Sequence, residues 1–187
     1  IRVADLAAGL GTDPAALEPL IAEYERRGRM KRDGGMIIAA LGLSAVPSEY
    51  EVSFGRRRMW AWCAKSALGL VSALRLGGEV AGRCPATGVP VSVAFPGDGV
   101  GHQADAALAV FWPADTMRDT CGSAETDYCP AFAILENAQA AADWAERQGF
   151  PGEVLTTKEA VTRAATYYAP VVDLSGLGGD LTLLLAG

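Results

Sequence analysis

The sequence predicts an α+β fold: a winged-helix-like module over residues 1–46, packed on a core over 47–187 that combines mixed or antiparallel strands with flanking helices. Three observations predict it. Residues 1–44 run helix, turn, helix, hairpin. Residues 50–54 and 79–95 hold short strand-like runs between turn signals. Helices and strands do not alternate regularly, as a parallel sheet would require.

Taken in order, Val3, Leu6, Ala7 and Leu10 recur at helical spacing, and Gly11 ends that segment. Thr12 or Asp13 caps a second helix, with Pro14 in its first turn, where a missing N–H costs nothing. Leu17, Leu20, Ile21 and Tyr24 form its apolar stripe. The basic run RRGRMKR (26–32) leads through Asp33-Gly34-Gly35, a tight-turn signal, into a strand over 36–40. After Pro47, residues 50–54 alternate as a strand.

Residues 57–76 are expected to form a helix carrying Trp60, Cys63 and Leu70, stopped by Gly77 and Gly78. Strands over 79–83 and 89–95 follow, joined by CPATGVP, whose Pro85 and Gly88 favour a turn. A glycine-rich loop, 97–101, leads to an apolar strand over 106–112. Residues 113–128 read as polar and irregular, 138–147 and 158–168 as helices, and 181–186 as a last strand or a disordered end.

Half of the 187 residues are hydrophobic, enough for a sizeable core. The formal charge of −6 argues against nucleic acid as the partner of the whole protein. Within the N-terminal module, Arg2, Arg26, Arg27, Arg29, Lys31 and Arg32 are matched by Asp5, Asp13, Glu18, Glu23, Glu25 and Asp33. DNA binding by the winged helix is therefore disfavoured, and a packing role favoured. No apolar run is long enough to span a bilayer and no signal-peptide pattern is visible, so a cytoplasmic location without membrane contact is expected. The expected partner is a small molecule; a homodimer stays open.

The four cysteines, Cys63, Cys84, Cys121 and Cys129, include no C-x-x-C pair and are expected as reduced thiols. His102 is the only histidine, which excludes most His-rich metal sites and leaves a Cys-His or Ser-His-Asp hydrolase resting on one turn residue. The loops GDGVGHQ and GLGGD lack the spacing of a phosphate-binding loop.

Three stretches together are more specific: MWAWCAKSAL (59–68), GRCPATGVPVSV (82–93), and DYCPAF followed by AAADWAERQG (127–149). Through them the chain resembles the organomercurial lyases (alkylmercury lyases), over residues 1–165. The resemblance implies a lyase-type core and cleavage of an alkyl- or arylmercury compound to hydrocarbon and Hg(II). It implies no required cofactor, with mercury bound as substrate or product; the thiols themselves also suit another soft metal, such as copper, as a bound ligand. Carried over by motif, Cys63 is the first metal-binding nucleophile and Cys129 the second. Cys84 matches a further family cysteine, expected to give structural support. Cys121 lies in an insertion with no firm family counterpart and is expected as an extra metal ligand; Trp60 and Trp62 are expected to wall the substrate site.

These residue types suit that chemistry. Mercury is soft and prefers thiolate to nitrogen or oxygen. A thiolate forms where a cation or helix terminus lowers its pKa. A positioned acid can then protonate the carbon. The sequence departs from the family at the catalytic position three residues after the first cysteine: Ser66 stands where the resemblance implies an aspartate, and Lys65 where it implies a leucine. Three outcomes stay open. A thiol gives the proton, either Cys121 or a cysteine displaced as product forms; a carboxylate of the 119–127 loop (Asp119, Glu125 or Asp127) replaces the aspartate; or cleavage has been lost. The last leaves a non-catalytic thiol site for copper or mercury, or a lyase-fold enzyme repurposed for another substrate.

Overall fold

The computed structural model describes residues 1–54, 56–75, 77–96 and 101–172. The chain opens with α1 (Val3–Leu10) and α2 (Pro14–Arg26). Of the two candidate caps for α2, Asp13 is the one used: its Oδ1 accepts the Ala15 N–H at 2.8 Å. Three strands follow, β1 (Met30–Asp33), β2 (Met36–Ala40) and β3 (Leu43–Ser44), each antiparallel to the next. The hairpin β4 (Tyr50–Phe54) and β5 (Arg57–Ala61) leads to helix α3 (Ala64–Leu74). Then come β6 (Gly78–Arg83), β7 (Pro90–Phe95) and β8 (Gln103–Ala104).

These strands form one eight-stranded sheet in the order β1-β2-β3-β5-β4-β6-β7-β8. The link between its halves is β3 on β5, with Leu43 opposite Ala61 and Ser44 opposite Trp60. The rest of the chain is β9 (Ala109–Pro113), α4 (Asp115–Thr120), β10 (Ala133–Leu135), α5 (Ala138–Gln148), β11 (Gly152–Thr156) and α6 (Thr157–Val172). A second sheet orders β10-β9-β11, and every strand pairing among the described residues is antiparallel.

The largest correction to the sequence reading falls on residues 57–76. Residues 57–61 are not helix: all five pair with β4, from Phe54 opposite Arg57 to Tyr50 opposite Ala61. Methionine and tryptophan beside a pleated partner gain cross-strand contacts that outweigh a weak helical preference. Helix α3 therefore starts at Ala64, and Cys63 is its N-cap, in extended backbone (φ −157°, ψ 166°).

Smaller corrections have local causes. The apolar strand begins at Ala109 rather than 106 because Asp105 makes a turn, its Oδ1 accepting the Ala107 N–H at 2.9 Å. The irregular segment 113–128 contains α4 and a wide π-type turn, Ala124–Tyr128, followed by a 3₁₀ turn at Cys129–Ala131. Helix α6 extends to Val172, and a reciprocal cap fixes its start: Glu159 Oε2 accepts the Thr156 N–H at 2.9 Å, and Thr156 Oγ1 accepts the Glu159 N–H at 3.3 Å. Residues 97–100, GLGGD and the apolar run 181–186 lie outside the described residues.

The core forms where the elements meet. Val52, Leu68, Val80, Val110, Phe132 and Ile134 are fully shielded from solvent, or nearly so. Each such side chain contributes about 1.5–3 kcal/mol of transfer free energy on burial. Trp144 of α5 meets Phe111 and Phe150 edge-on, at ring separations of 5.8 and 5.5 Å. Helix α3 packs along α6. Gly69 permits their close approach, since a Cβ there would lie 2.8 Å from the Ala164 carbonyl oxygen. No helix among the described residues is long and apolar enough to cross a membrane.

Candidate active site

Three segments converge on the N-terminal end of α3. The first is the β2–β3 turn, where Leu41 (φ +53°) and Gly42 (φ +96°) both adopt the left-handed conformation of a tight two-residue hairpin. The Gly42 carbonyl accepts the Trp62 N–H at 2.9 Å. A side chain at Gly42 would collide with Ser66 Oγ, so the turn can close on Ser66 only with glycine there. The second segment is Cys129–Phe132: Ala64 N–H donates to the Phe132 carbonyl at 3.2 Å, and Phe132 N–H to the Cys129 carbonyl at 3.0 Å. The first of these bonds ties the two cysteine-bearing segments together, and the second closes the turn that carries Cys129. The third is the end of α6, whose Tyr168 hydroxyl lies 2.8 Å from Ser66 Oγ and donates to the Leu41 carbonyl at 3.2 Å.

Cys63 is almost fully buried, with its sulfur 3.3 Å from Ser66 Oγ. Burial opposes ionisation of this thiol. Proton-sharing with the Cys129 thiol, the charge of Lys65, and the Ser66 hydroxyl and amide together outweigh burial and bring Cys63 down to about 6. The helix N-terminus acts in the same sense. Cys129 moves the opposite way. Proton-sharing with Cys63, then burial and the Cys63 charge, hold it well above the ordinary thiol range. The pair therefore keeps one thiolate and one proton near neutral pH.

Lys65 is buried yet held by aromatic faces, its Nζ lying 4.1, 4.8 and 5.0 Å from the ring centres of Tyr167, Phe132 and Tyr128. Cation–π attraction of about 0.5–2 kcal/mol per ring offsets part of its desolvation. Alkylation of Cys63 by iodoacetamide should follow the thiolate fraction, rising with pH through about 6 and levelling above 7 rather than climbing towards 9. Lys65→Met removes a charge that favours the thiolate, so the midpoint moves up and the rate at pH 6 falls about fivefold. A midpoint unmoved in folded Lys65→Met would show that the lysine does not tune the thiol.

Beside this pair opens a cavity of about 400 Å³. Trp62, Tyr128, Tyr167 and Tyr168 give it aromatic walls, and Ser66, Lys65 and Cys129 bring the thiol chemistry to it. A family model, MerB (alkylmercury lyase), matches residues 43–169, the part of the chain that carries both thiols and Tyr168. The chain belongs to the alkylmercury lyase family. Its fold is also that of a solved structure, the mercury-bound form of MerB2, with a TM-score of 0.73 and 23% identity. The superposition covers 91% of this chain and 82% of that one. The family acts on carbon–mercury bonds, so mercury enters as substrate or product.

Within this alkylmercury lyase fold, Cys63, Ser66 and Cys129 stand together, and Trp62 lines the cavity beside them. Trp60 does not line it; it sits on β5, paired across the sheet with Ser44 and Glu51. Cys121 does line it, with its Sγ donating to the Arg118 carbonyl at 3.1 Å. Among the described residues, though, no three or more His, Cys, Asp or Glu side chains converge as a metal site, so Cys121 is not clustered with the other two thiols. Cys84 is buried in the β6–β7 turn, its N–H bonded to the Val89 carbonyl at 2.8 Å, away from the cavity wall.

The loop carboxylates are engaged elsewhere. Asp119 pairs with Arg118 and Glu125 with Lys31, while Asp127 accepts the Gly122 and Ser123 N–H groups, each at 2.9 Å. None of the three lines the cavity. Tyr168, Tyr167, Arg118 and Arg29 are among the wall residues that the sequence reading did not single out as site residues. No local pattern marks the tyrosines, whereas Arg29 was visible only as one member of a basic run.

Proposed function

We propose that this chain is an organomercurial lyase that takes up an alkyl- or arylmercury compound through Cys63 and Cys129 and protonolyses its C–Hg bond. The observation that carries the reading is geometric: two buried thiols, Cys63 at the N-terminal end of α3 with Ser66 Oγ 3.3 Å from its sulfur, and Cys129 on the wall of an aromatic cavity. The pKa of Cys63 is drawn down and that of Cys129 pushed up. The Cys63 thiolate displaces the outgoing anionic ligand from mercury. The Cys129 sulfur then bonds to mercury as its proton passes to carbon, and the C–Hg electron pair becomes the new C–H bond. The products are the hydrocarbon and Hg(II) between two sulfurs, from which excess thiol removes it. Atoms and charge balance without a cofactor.

Ser66 serves here as a hydrogen-bond partner of the Cys63 sulfur rather than as an acid, because an aliphatic hydroxyl does not release its proton near neutral pH. Tyr168 holds Ser66 in place from behind, and burial keeps the phenol itself protonated. The aromatic walls receive the alkyl or aryl group and limit access of water. Phenylmercury supplied with excess thiol should release benzene from the folded protein; no benzene above a protein-free control would sink the lyase reading.

A second reading is favoured by one feature, the absence of a carboxylate from the cavity wall among the described residues. Two buried thiols without an acid suit a binder that sequesters mercury or copper without cleavage. Protein prepared without chelators would then carry or take up such a metal while releasing no hydrocarbon.

A further inference from the structure

Beyond the thiols, the cavity wall holds, among the described residues, three cationic side chains, Arg29, Lys65 and Arg118, and no carboxylate. This runs against the protein as a whole, whose formal charge is −6. Lys65 is committed to the thiols and its aromatic cage. Arg118, at the cavity edge, is partly balanced by Asp119 at 3.3 Å and Asp115 at 3.8 Å.

Arg29 is different. Its neighbours in RRGRMKR all engage carboxylates: Arg26 and Arg27 with Glu23, Lys31 with Glu125, and Arg32 with Glu18 and Glu25. Among the described residues Arg29 has no carboxylate partner, and it is half-buried on the cavity wall. The Ala124 N–H donates to the Arg27 carbonyl at 3.2 Å, which brings this segment against the Cys121–Ala124 side of the cavity. A half-buried guanidinium lacking a counter-ion is a ready partner for a planar oxyanion, which it can bind through two N–H groups at once. The metal chemistry does not need this charge, because Hg(II) between two thiolates is already neutral.

We infer that the organomercurial selected by this cavity carries an anionic substituent, a carboxylate or sulfonate on its organic group, received by Arg29 with Arg118. The inference rests on the lyase reading and adds the substrate class. The test is a competition between equimolar phenylmercury and 4-mercuribenzoate for limiting protein. Captured aryl groups are counted as protein adduct plus released benzene or benzoate, and the ratio is normalised to capture by free cysteine.

The carboxylated mercurial should be preferred about tenfold at low salt, and the preference should shrink as salt screens the pairing. Arg29→Gln should bring the ratio close to one, while Arg29→Lys, which keeps the charge, should retain part of the preference. Equal capture by the native protein overturns the anionic subsite and leaves the lyase reading standing. A preference that survives unchanged in both Arg29→Gln and Arg118→Gln overturns it as well. If neither aryl group is captured, the lyase reading falls and this inference falls with it.

Discussion

Replacing Ser66 by aspartate is expected to raise benzene release from phenylmercury by about 100-fold or more, the range that a positioned general acid contributes. The serine already stands where such an acid is needed, 3.3 Å from the Cys63 sulfur and 2.8 Å from the Tyr168 hydroxyl. A carboxyl group there is shielded from water, and burial raises its pKa, so that it can hold a proton and pass it to carbon. Tyr168 would orient it by turning its one O–H from the Leu41 carbonyl to a carboxyl oxygen. Ser66 lines the cavity, so the longer side chain can extend into that space and away from the Gly42 turn, which already packs on the serine hydroxyl. The comparison is single-turnover product release by the two folded proteins at equal mercury loading. An unchanged rate would mean that the cavity does not present the carbon to this position, and would favour the binding-only reading.

Cys63→Ser should abolish capture of phenylmercury, with product release falling by about three orders of magnitude or more, as when an enzyme loses its nucleophile. The serine hydroxyl is neither ionised at neutral pH nor a soft ligand for mercury. Cys129→Ser should behave differently. Cys63 ionises without the other sulfur giving up its proton to solvent, so the Cys129 variant should still capture the mercurial, although proton-sharing with Cys129 favours the Cys63 thiolate. It should then stall before hydrocarbon release. Intact-protein mass separates the two variants, since a retained arylmercury adduct is expected only for Cys129→Ser. Wild-type capture rates in Cys63→Ser, or identical behaviour of the two variants, would remove the asymmetric thiol pair from the mechanism.

Much of the fold was legible because its signals are local. Asp13-Pro14, Asn137 with Gly149, and Gly11 mark helix ends through bonds reaching only two to four residues. The alternation of YEVSF and PVSVAF matches strands with one buried face, as their burial patterns bear out. RRMWA was misread because its conformation is decided by β4 across the hairpin rather than by its own composition. That error bore on chemistry, since a mid-helix cysteine gains nothing from the helix dipole and an N-cap cysteine does.

The sequence by itself determined the reactive groups: the two thiols, their motifs, and the serine where the family resemblance implies an acid. What only the tertiary structure decided is the state of those groups. Tyr168 reaches Ser66 from 102 positions away, Lys65 finds its cage on α6 and in the 128–132 segment, and Arg29 reaches the cavity from the turn just before the first strand. The reason is physical. Which side chains can react is written in their chemistry, but a pKa and a cavity wall depend on charge, dipole and shielding gathered across space, and those come from segments that meet only when the chain is folded.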